Sequence, residues 1–267
     1  MDNLSLILTF VFGTIVGSFL NVVSLRFNTG TTVGGRSKCM TCGNQLTWKE
    51  LIPLFSFIFQ RGACKKCKSK ISWQYPLVEF CAGVIFVLIF FTFPPTTPLA
   101  MFSTALYVFI TCLLLVISVY DIKHKIIPDE FVYAFVLVSL IGLCVGGSSW
   151  LHVPTVSALL AGPVLALPFA LTWLISKGTW MGLGDAKLVL GIGWLLGLNG
   201  GANSIILAFW IAAVISVTWL LVTYKSFKPR TEVPFGPYLI LGMYLVLLFQ
   251  IQVMDFALLK EIVWSYL

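Results

Sequence analysis

The chain has 267 residues, of which 59% are hydrophobic and only 10% charged, with a formal net charge of +7 and a mean hydropathy of +0.99. Those proportions exclude an ordinary water-soluble domain and a disordered chain, and they describe a membrane protein with several spans. The positive excess sits in short hydrophilic segments beside apolar runs, which points to membrane lipid and loop orientation and away from nucleic acid.

Eight apolar runs suited to about 30 Å of hydrocarbon lie near residues 4–25, 77–93, 99–120, 127–145, 154–176, 185–198, 203–224 and 234–253. A chain crossing lipid must satisfy its own backbone polar groups, so these runs predict an all-α polytopic membrane protein with about eight transmembrane helices. The first run has no basic region before it and no small-residue cleavage pattern after it, so it reads as a retained span. Gly13, Gly17 and Ser18 form a small-residue stripe on it, a pattern of close helix packing. Asn21, further along the same run, is placed to hydrogen-bond a neighbouring helix. The sixth run is short and carries Gly191, Gly193 and Gly197, which predicts a span whose start is unwound or lies below the headgroups.

The only sizeable hydrophilic segment, residues 26–76, holds Cys39, Cys42, Cys64 and Cys67 as two CxxC pairs 21 residues apart. Two such turns offer four soft thiolates to one ion, the donor set of a closed structural zinc site. A segment this small and this charged lacks a core of its own, so metal binding would supply much of its folding free energy. Gly43 and Gly62 suit the tight turns. Cys81, Cys112 and Cys144 lie in apolar runs without paired spacing and read as packing residues. The expected organisation is a first helix over 1–25, a four-cysteine zinc-knuckle domain over 26–76, and a transmembrane catalytic part over 77–267.

Basic residues accumulate in cytoplasmic loops. With an outside N-terminus and eight spans, all of the 17 Lys and Arg residues except Lys260 fall inside. Asp121, at the end of the third run, and Asp185, at the start of the sixth, then lie on the cytoplasmic side. Each has a plain structural reading: an interfacial ion pair with Lys123 or Lys125 for Asp121, a helix cap for Asp185. Two lone carboxyls at one depth, the second flanked by Gly182 and Gly184, point further. Glycines there let a substrate strand approach closely. Two carboxyls sharing a hydrogen bond cannot both ionise easily, which leaves one as acid and one as base, the apparatus of an aspartic protease.

The stretch GLGD, Gly182 to Asp185, matches the GxGD signature of membrane aspartic proteases. In order along the chain, GSFLNVVSLR, the CxxC pairs, YPLVE, YDIKHKIIPD, GLGDAKL and PFGPYL together resemble the type IV prepilin peptidases over roughly residues 13–240. The resemblance implies a bacterial inner-membrane endopeptidase that removes the leader of type IV prepilins or pseudopilins at the cytoplasmic face. It makes Asp121 and Asp185 the catalytic pair. In the bifunctional form of the family the enzyme also transfers a methyl group from S-adenosylmethionine to the new N-terminal residue, and the four-cysteine domain accompanies that form.

Around the pair, Gly182, Gly184, Lys187, Asp129, Pro234 and Gly236 are expected to shape or support the cleft. Asp129 reads as a helix-start residue or a substrate contact, and Glu79 as either a methyl-transfer residue or an anchor for the zinc loop. His124 and His152 fall in loops and read as neither ligands nor catalysts. CMTC without the proline common after the first cysteine, and WKELIPLFS without the asparagine common before Ile-Pro, depart from the family's pattern. Both bear on the methyltransferase side. The sequence offers no glycine-rich nucleotide loop for S-adenosylmethionine. The alternative from another class is a proton- or ion-coupled transporter that uses the two carboxylates. Coupling groups, however, usually lie near the membrane centre, and the chain shows no convincing internal repeat.

Overall fold

In the computed structural model, which describes residues 2–30, 34–145, 153–222 and 233–254, the apolar runs are helices, as the need to satisfy backbone groups without water requires. The order is α1 (Asn3–Arg26), a 3₁₀ turn (Trp48–Glu50), α2 (Phe55–Phe59), α3 (Gln74–Thr92), α4 (Pro98–His124), α5 (Asp129–Cys144), α6 (Val156–Ser176), α7 (Leu183–Val222) and α8 (Gly236–Phe249). Among the described residues no strand forms, and only the isolated bridges Lys38–Gln45 and Ala63–Lys70 occur. Five helices, α1, α3, α4, α6 and α7, are long and apolar enough to cross a membrane, and α8 is a shorter apolar helix. His152, Glu232 and the basic residues Lys225, Lys228, Arg230 and Lys260 lie outside the described residues.

The chain divides into two units, Met1–Val119 and Tyr120–Leu267. In the first, α1 packs on α3 through the predicted small-residue stripe. A Cβ on Gly13 would sit 2.8 Å from the Ala82 carbonyl oxygen, and one on Gly17 would sit 2.8 Å from Ala82 Cβ and 2.9 Å from Glu79 Cα. Backbones this close gain dispersion contacts along a whole helix face, which is how helices associate when lipid supplies no hydrophobic drive. Asn21 Nδ2 donates to the Tyr75 carbonyl at 3.2 Å, the interhelical bond expected of it. The start of α4 is fixed on the preceding turn, where Thr104 donates to the Phe93 carbonyl at 2.6 Å and the Phe93 and Tyr107 rings stack at 4.2 Å.

In the second unit the glycines of the sixth run act differently from the sequence expectation. The start of α7 is helical from Leu183, and the break falls at the far end, at Gly197 with φ 71° and ψ −178°. Position 201 then lies against Gly193, its Cβ site 3.4 Å from Gly193 Cα. Eight residues along a straight helix would separate these by about 12 Å, so α7 is two limbs folded back on each other. Its limbs account for the sixth and seventh apolar runs. A Cβ on Gly193 would stand 2.6 Å from the Gly162 Cα of α6, Gly191 receives the Phe135 ring of α5, and Gly242 of α8 rests on the Ser204 carbonyl. Asn203, fully buried, holds the chain after α8: its Oδ1 accepts from Val253 N at 2.7 Å and Met254 N at 2.8 Å. His124 is no loop residue; it is the last residue of α4, with its ring 4.4 Å from that of Tyr120.

The α1–α3 contact leaves no room for a branched side chain. Gly17→Val should lower stability by about 1–3 kcal/mol through overpacking, read as a drop in thermal midpoint in detergent. Gly34→Ala, where nothing lies within 4 Å of the Cβ site, should leave the midpoint unchanged.

Candidate active site

Asp121 and Asp185 are both buried, at 4% and 9% exposure, and both belong to the second unit. Asp121 stands one turn before the end of α4. Lys125, in the left-handed region at φ 57°, donates its backbone N–H to the Asp121 carbonyl at 2.7 Å and turns the chain out of the helix. The chain then passes Ile127 and Pro128, which caps α5 with extended backbone. Asp185 lies in the first turn of α7, where its own N–H donates to the Gly182 carbonyl at 3.3 Å. A carboxylate there also suits the positive end of the helix dipole.

Three residues join the surroundings of the two carboxyls. The N–H of Gly236, at the start of α8, donates to Asp121 Oδ2 at 3.0 Å. A Cβ on Gly236 would stand 2.7 Å from that same oxygen and 3.4 Å from Ile127 Cδ1, and a Cβ on Gly184 would stand 2.7 Å from Ile127 Cβ. The Ile127 side chain therefore fills the space between the two glycine-bearing segments. Gly184 and Gly236 are glycines because Ile127 and the Asp121 carboxylate occupy the volume a side chain would need. Gly182 has a looser setting, with Asp185 Oδ2 3.8 Å from its Cβ site. Pro234 precedes α8 and gives the site no polar contact.

Lys187 and Asp129 meet directly. Lys187 Nζ lies 2.6 Å from Asp129 Oδ1 and 4.6 Å from the centre of the Tyr133 ring. Asp129 opens α5 and Tyr133 follows one turn later on the same face, so the pair and the ring tie the start of α5 to the start of α7. Asp129 is thus at a helix start, as expected, and is also the partner of Lys187. Ile127 and Tyr133 were not foreseen. Ile127 carries no chemical signal, whereas Tyr133 had one: it stands four residues beyond Asp129, on one helical face with it.

The four cysteines of residues 26–76 converge in the first unit. Their Sγ atoms all lie within 4.8 Å of one another, and Cys39 and Cys67 are 3.8 Å apart. A tetrahedron with metal–sulfur bonds of 2.3 Å has edges of about 3.8 Å, so the donor set fits a four-coordinate ion. Gly43 and Gly62 adopt φ 67° and 64° in the two turns, as the spacing predicts. Cys39 is brought down to about 6 by the backbone N–H groups of Cys42 and Thr41 and by Ser69. Cys42 is pushed up to about 11: the Asn44 amide favours its thiolate, but desolvation and the thiols of Cys67, Cys39 and Cys64 outweigh it. Thiolates packed this closely repel one another, and a bound cation removes that conflict. Glu79, in α3, accepts the Leu54 N–H at 2.8 Å, so it anchors the loop that carries the cysteines.

Comparison with known proteins places both halves. Residues 11–93 match the bacterial peptidase A24 N-terminal domain, and residues 108–217 match the type IV leader peptidase family. A prepilin leader peptidase/N-methyltransferase of Bacillus subtilis is 30% identical over 249 residues, covering 92% of this chain and 95% of the relative. One from Xanthomonas campestris pv. campestris is 29% identical over 265 residues, covering 88% of each chain. A type 4 prepilin-like proteins leader peptide-processing enzyme of Escherichia coli is 28% identical over 259 residues, covering 88% of this chain and 91% of the relative. No solved structure matches the chain. With relatives aligned over nearly its full length and a domain match in each half, the chain belongs to the prepilin leader peptidase/N-methyltransferase family.

Proposed function

We infer that this protein is a membrane aspartic endopeptidase that cleaves the leader peptide of type IV prepilins or pseudopilins and N-methylates the new N-terminus. The family carries the reaction class. The observation that supports Asp121 and Asp185 as its catalytic pair is that both are buried, with the Ile127 side chain against both Gly184, the neighbour of Asp185, and Gly236, whose N–H donates to Asp121. The transporter alternative finds no support among the relatives, which are named as peptidases.

In this reading the pair holds one proton between two carboxyls, because two such charges at short range are costly. The ionised carboxyl takes a proton from a water held between them as its oxygen bonds to the scissile carbonyl carbon. The protonated carboxyl donates to the carbonyl oxygen, giving a neutral diol. Collapse of the diol breaks the C–N bond: the proton held by the base passes to the leaving amine while the other carboxylate takes a proton back from one diol hydroxyl, which restores the single proton of the pair. Gly236 N–H fixes one Asp121 oxygen, so that carboxyl keeps its orientation through the cycle. Asp129, Lys187 and Tyr133 hold the helix that carries Asp185. The positive-inside distribution of Lys and Arg supports a site at the cytoplasmic face of the bacterial inner membrane, where a prepilin's basic leader would meet its apolar helix.

Zinc is the ion we assign to Cys39, Cys42, Cys64 and Cys67, which would fill all four positions and so leave it a structural role in residues 26–76. S-adenosylmethionine is the methyl donor implied by the relatives' N-methyltransferase name. Residues 77–267 form the peptidase part.

Purified protein in detergent, incubated with a prepilin peptide, tests the pair. Asp121→Asn and Asp185→Asn should each reduce cleavage by about 10²–10⁴-fold, and full activity in either would refute the assignment. Gly236→Ala should lower kcat by roughly 10²-fold, since its Cβ would displace the Asp121 carboxylate from reactive geometry. Elemental analysis should find close to one zinc per chain in the wild type and little in a Cys39→Ser, Cys64→Ser double variant. An unchanged metal load would overturn the zinc site.

A further inference from the structure

The run LIPLFSFIF, residues 51–59, is an island of apolar side chains inside the hydrophilic segment, bounded by Lys49 and Glu50 on one side and Gln60 and Arg61 on the other. It is too short to span a bilayer, and its exposure excludes a buried core helix. The structure gives it two faces. Phe57 turns inward, its ring 4.9 Å from that of Trp73 and against the Cβ site of Gly62 at 3.1 Å. Leu51, Ile52, Phe55, Ile58 and Phe59 turn outward, Ile58 at 69% and Phe59 at 82% exposure. Phe55, Ile58 and Phe59 follow the i, i+3, i+4 spacing of one face of α2, and Ile52, exposed just before the turn at Leu54, adjoins them.

The depth of this face follows from its anchor. Leu54 N–H donates to the Glu79 carboxylate, and the Glu79 Cα lies 2.9 Å from the Cβ site of Gly17 on α1. Gly17 lies nine residues before the end of α1 and Glu79 five residues after the start of α3, or about 14 Å and 8 Å along the two helix axes. The run is therefore hooked below the ends of two helices that are long and apolar enough to cross the membrane. Its backbone is prepared for such a place, where unpaired donors are costly. Besides Leu54, the N–H groups of Phe55, Ser56, Ile58 and Gln60 donate to the carbonyls of Pro53, Ile52, Leu54 and Ser56. Pro53 has no N–H to satisfy. Lys49, Arg61, Lys65 and Lys66 are exposed around the run, and Lys49 lies 5.5 Å from the centre of the Trp48 ring, the pairing of cation and aromatic found at lipid headgroups.

We propose that residues 51–59 are an in-plane membrane segment, with the Ile52, Phe55, Ile58 and Phe59 face seated at the acyl–headgroup boundary of the leaflet beside the four-cysteine domain. The occupant of this face is anionic phospholipid. Seating the face in lipid removes from water large apolar side chains that the fold leaves uncovered, at the depth reached by interfacial helices. The segment then fixes the four-cysteine domain against the membrane surface at a third point, beyond its two chain connections. This inference is independent of the catalytic reading.

The test uses the full chain in nanodiscs of phosphatidylcholine and phosphatidylglycerol, with p-benzoylphenylalanine at position 59, or at position 58 where the first variant does not fold, and a prepilin peptide present. The comparison position is Met40, 84% exposed in the same domain. After irradiation, mass spectrometry should find phospholipid adducts several-fold more abundant at 59 or 58 than at 40. Equal labelling at the two sites, or no lipid adduct at 59 and 58, would place the face in water and overturn the proposal. Adducts there to the peptide or to a second copy, in place of lipid, would make it a protein-docking face and overturn it equally.

Discussion

Everything around the proposed dyad depends on the Ile127 side chain lying between Gly184 and Gly236 while the Gly236 N–H donates to Asp121. One ordinary aliphatic residue, in the turn between α4 and α5, touches the segments that open α7 and α8. A buried carboxyl is stable only with a partner, and here the partner of Asp121 is a backbone donor whose approach a side chain would block. The same contact that buries the carboxyls therefore fixes their surroundings. Lys187, paired with Asp129 and lying over Tyr133, secures the start of α7 from the other side.

Glycine serves three distinct physical ends in this chain. On α1 and α3 it brings two backbones into contact where the lipid gives no hydrophobic drive. At Gly197 it takes a left-handed φ that lets α7 reverse on itself. At Gly184 and Gly236 it vacates volume beside a carboxyl. Only the last bears on chemistry, and it is distinguished from the others by what fills the space: a carboxylate and an isoleucine in place of a neighbouring backbone.

The four-cysteine segment solves a different problem. About fifty residues with many charges and few buried side chains gain little from hydrophobic burial, so order comes from convergence of thiolates and from anchoring. Glu79 shows how economical the anchoring is: its carboxylate in α3 accepts the backbone of the loop at Leu54 while its Cα packs against Gly17 of α1. A residue that reads from sequence as either a methyl-transfer group or a loop anchor is, in the structure, in contact with the loop. The apolar run beside it lies where such an anchor sets it, which is why its exposed face calls for lipid.

The sequence by itself determined the helical membrane class, the apolar segments and the metal-type cysteine cluster. These are local properties: hydropathy summed over twenty residues and ligands two residues apart carry their meaning without any knowledge of the fold. The isolation of Asp121 and Asp185 was equally legible, because ionisable groups are so rare in apolar runs. The tertiary structure alone decided the contacts that cross the chain. Ile127 reads as one more apolar residue, yet it separates Gly184 from Gly236. The glycines of the sixth run suggested a start that is unwound or lies below the headgroups; it is not unwound, and the break lies at Gly197, while Gly191 and Gly193 pack against Phe135 and Gly162. Long-range steric fit depends on which surfaces meet, and no periodicity within a single helix records that.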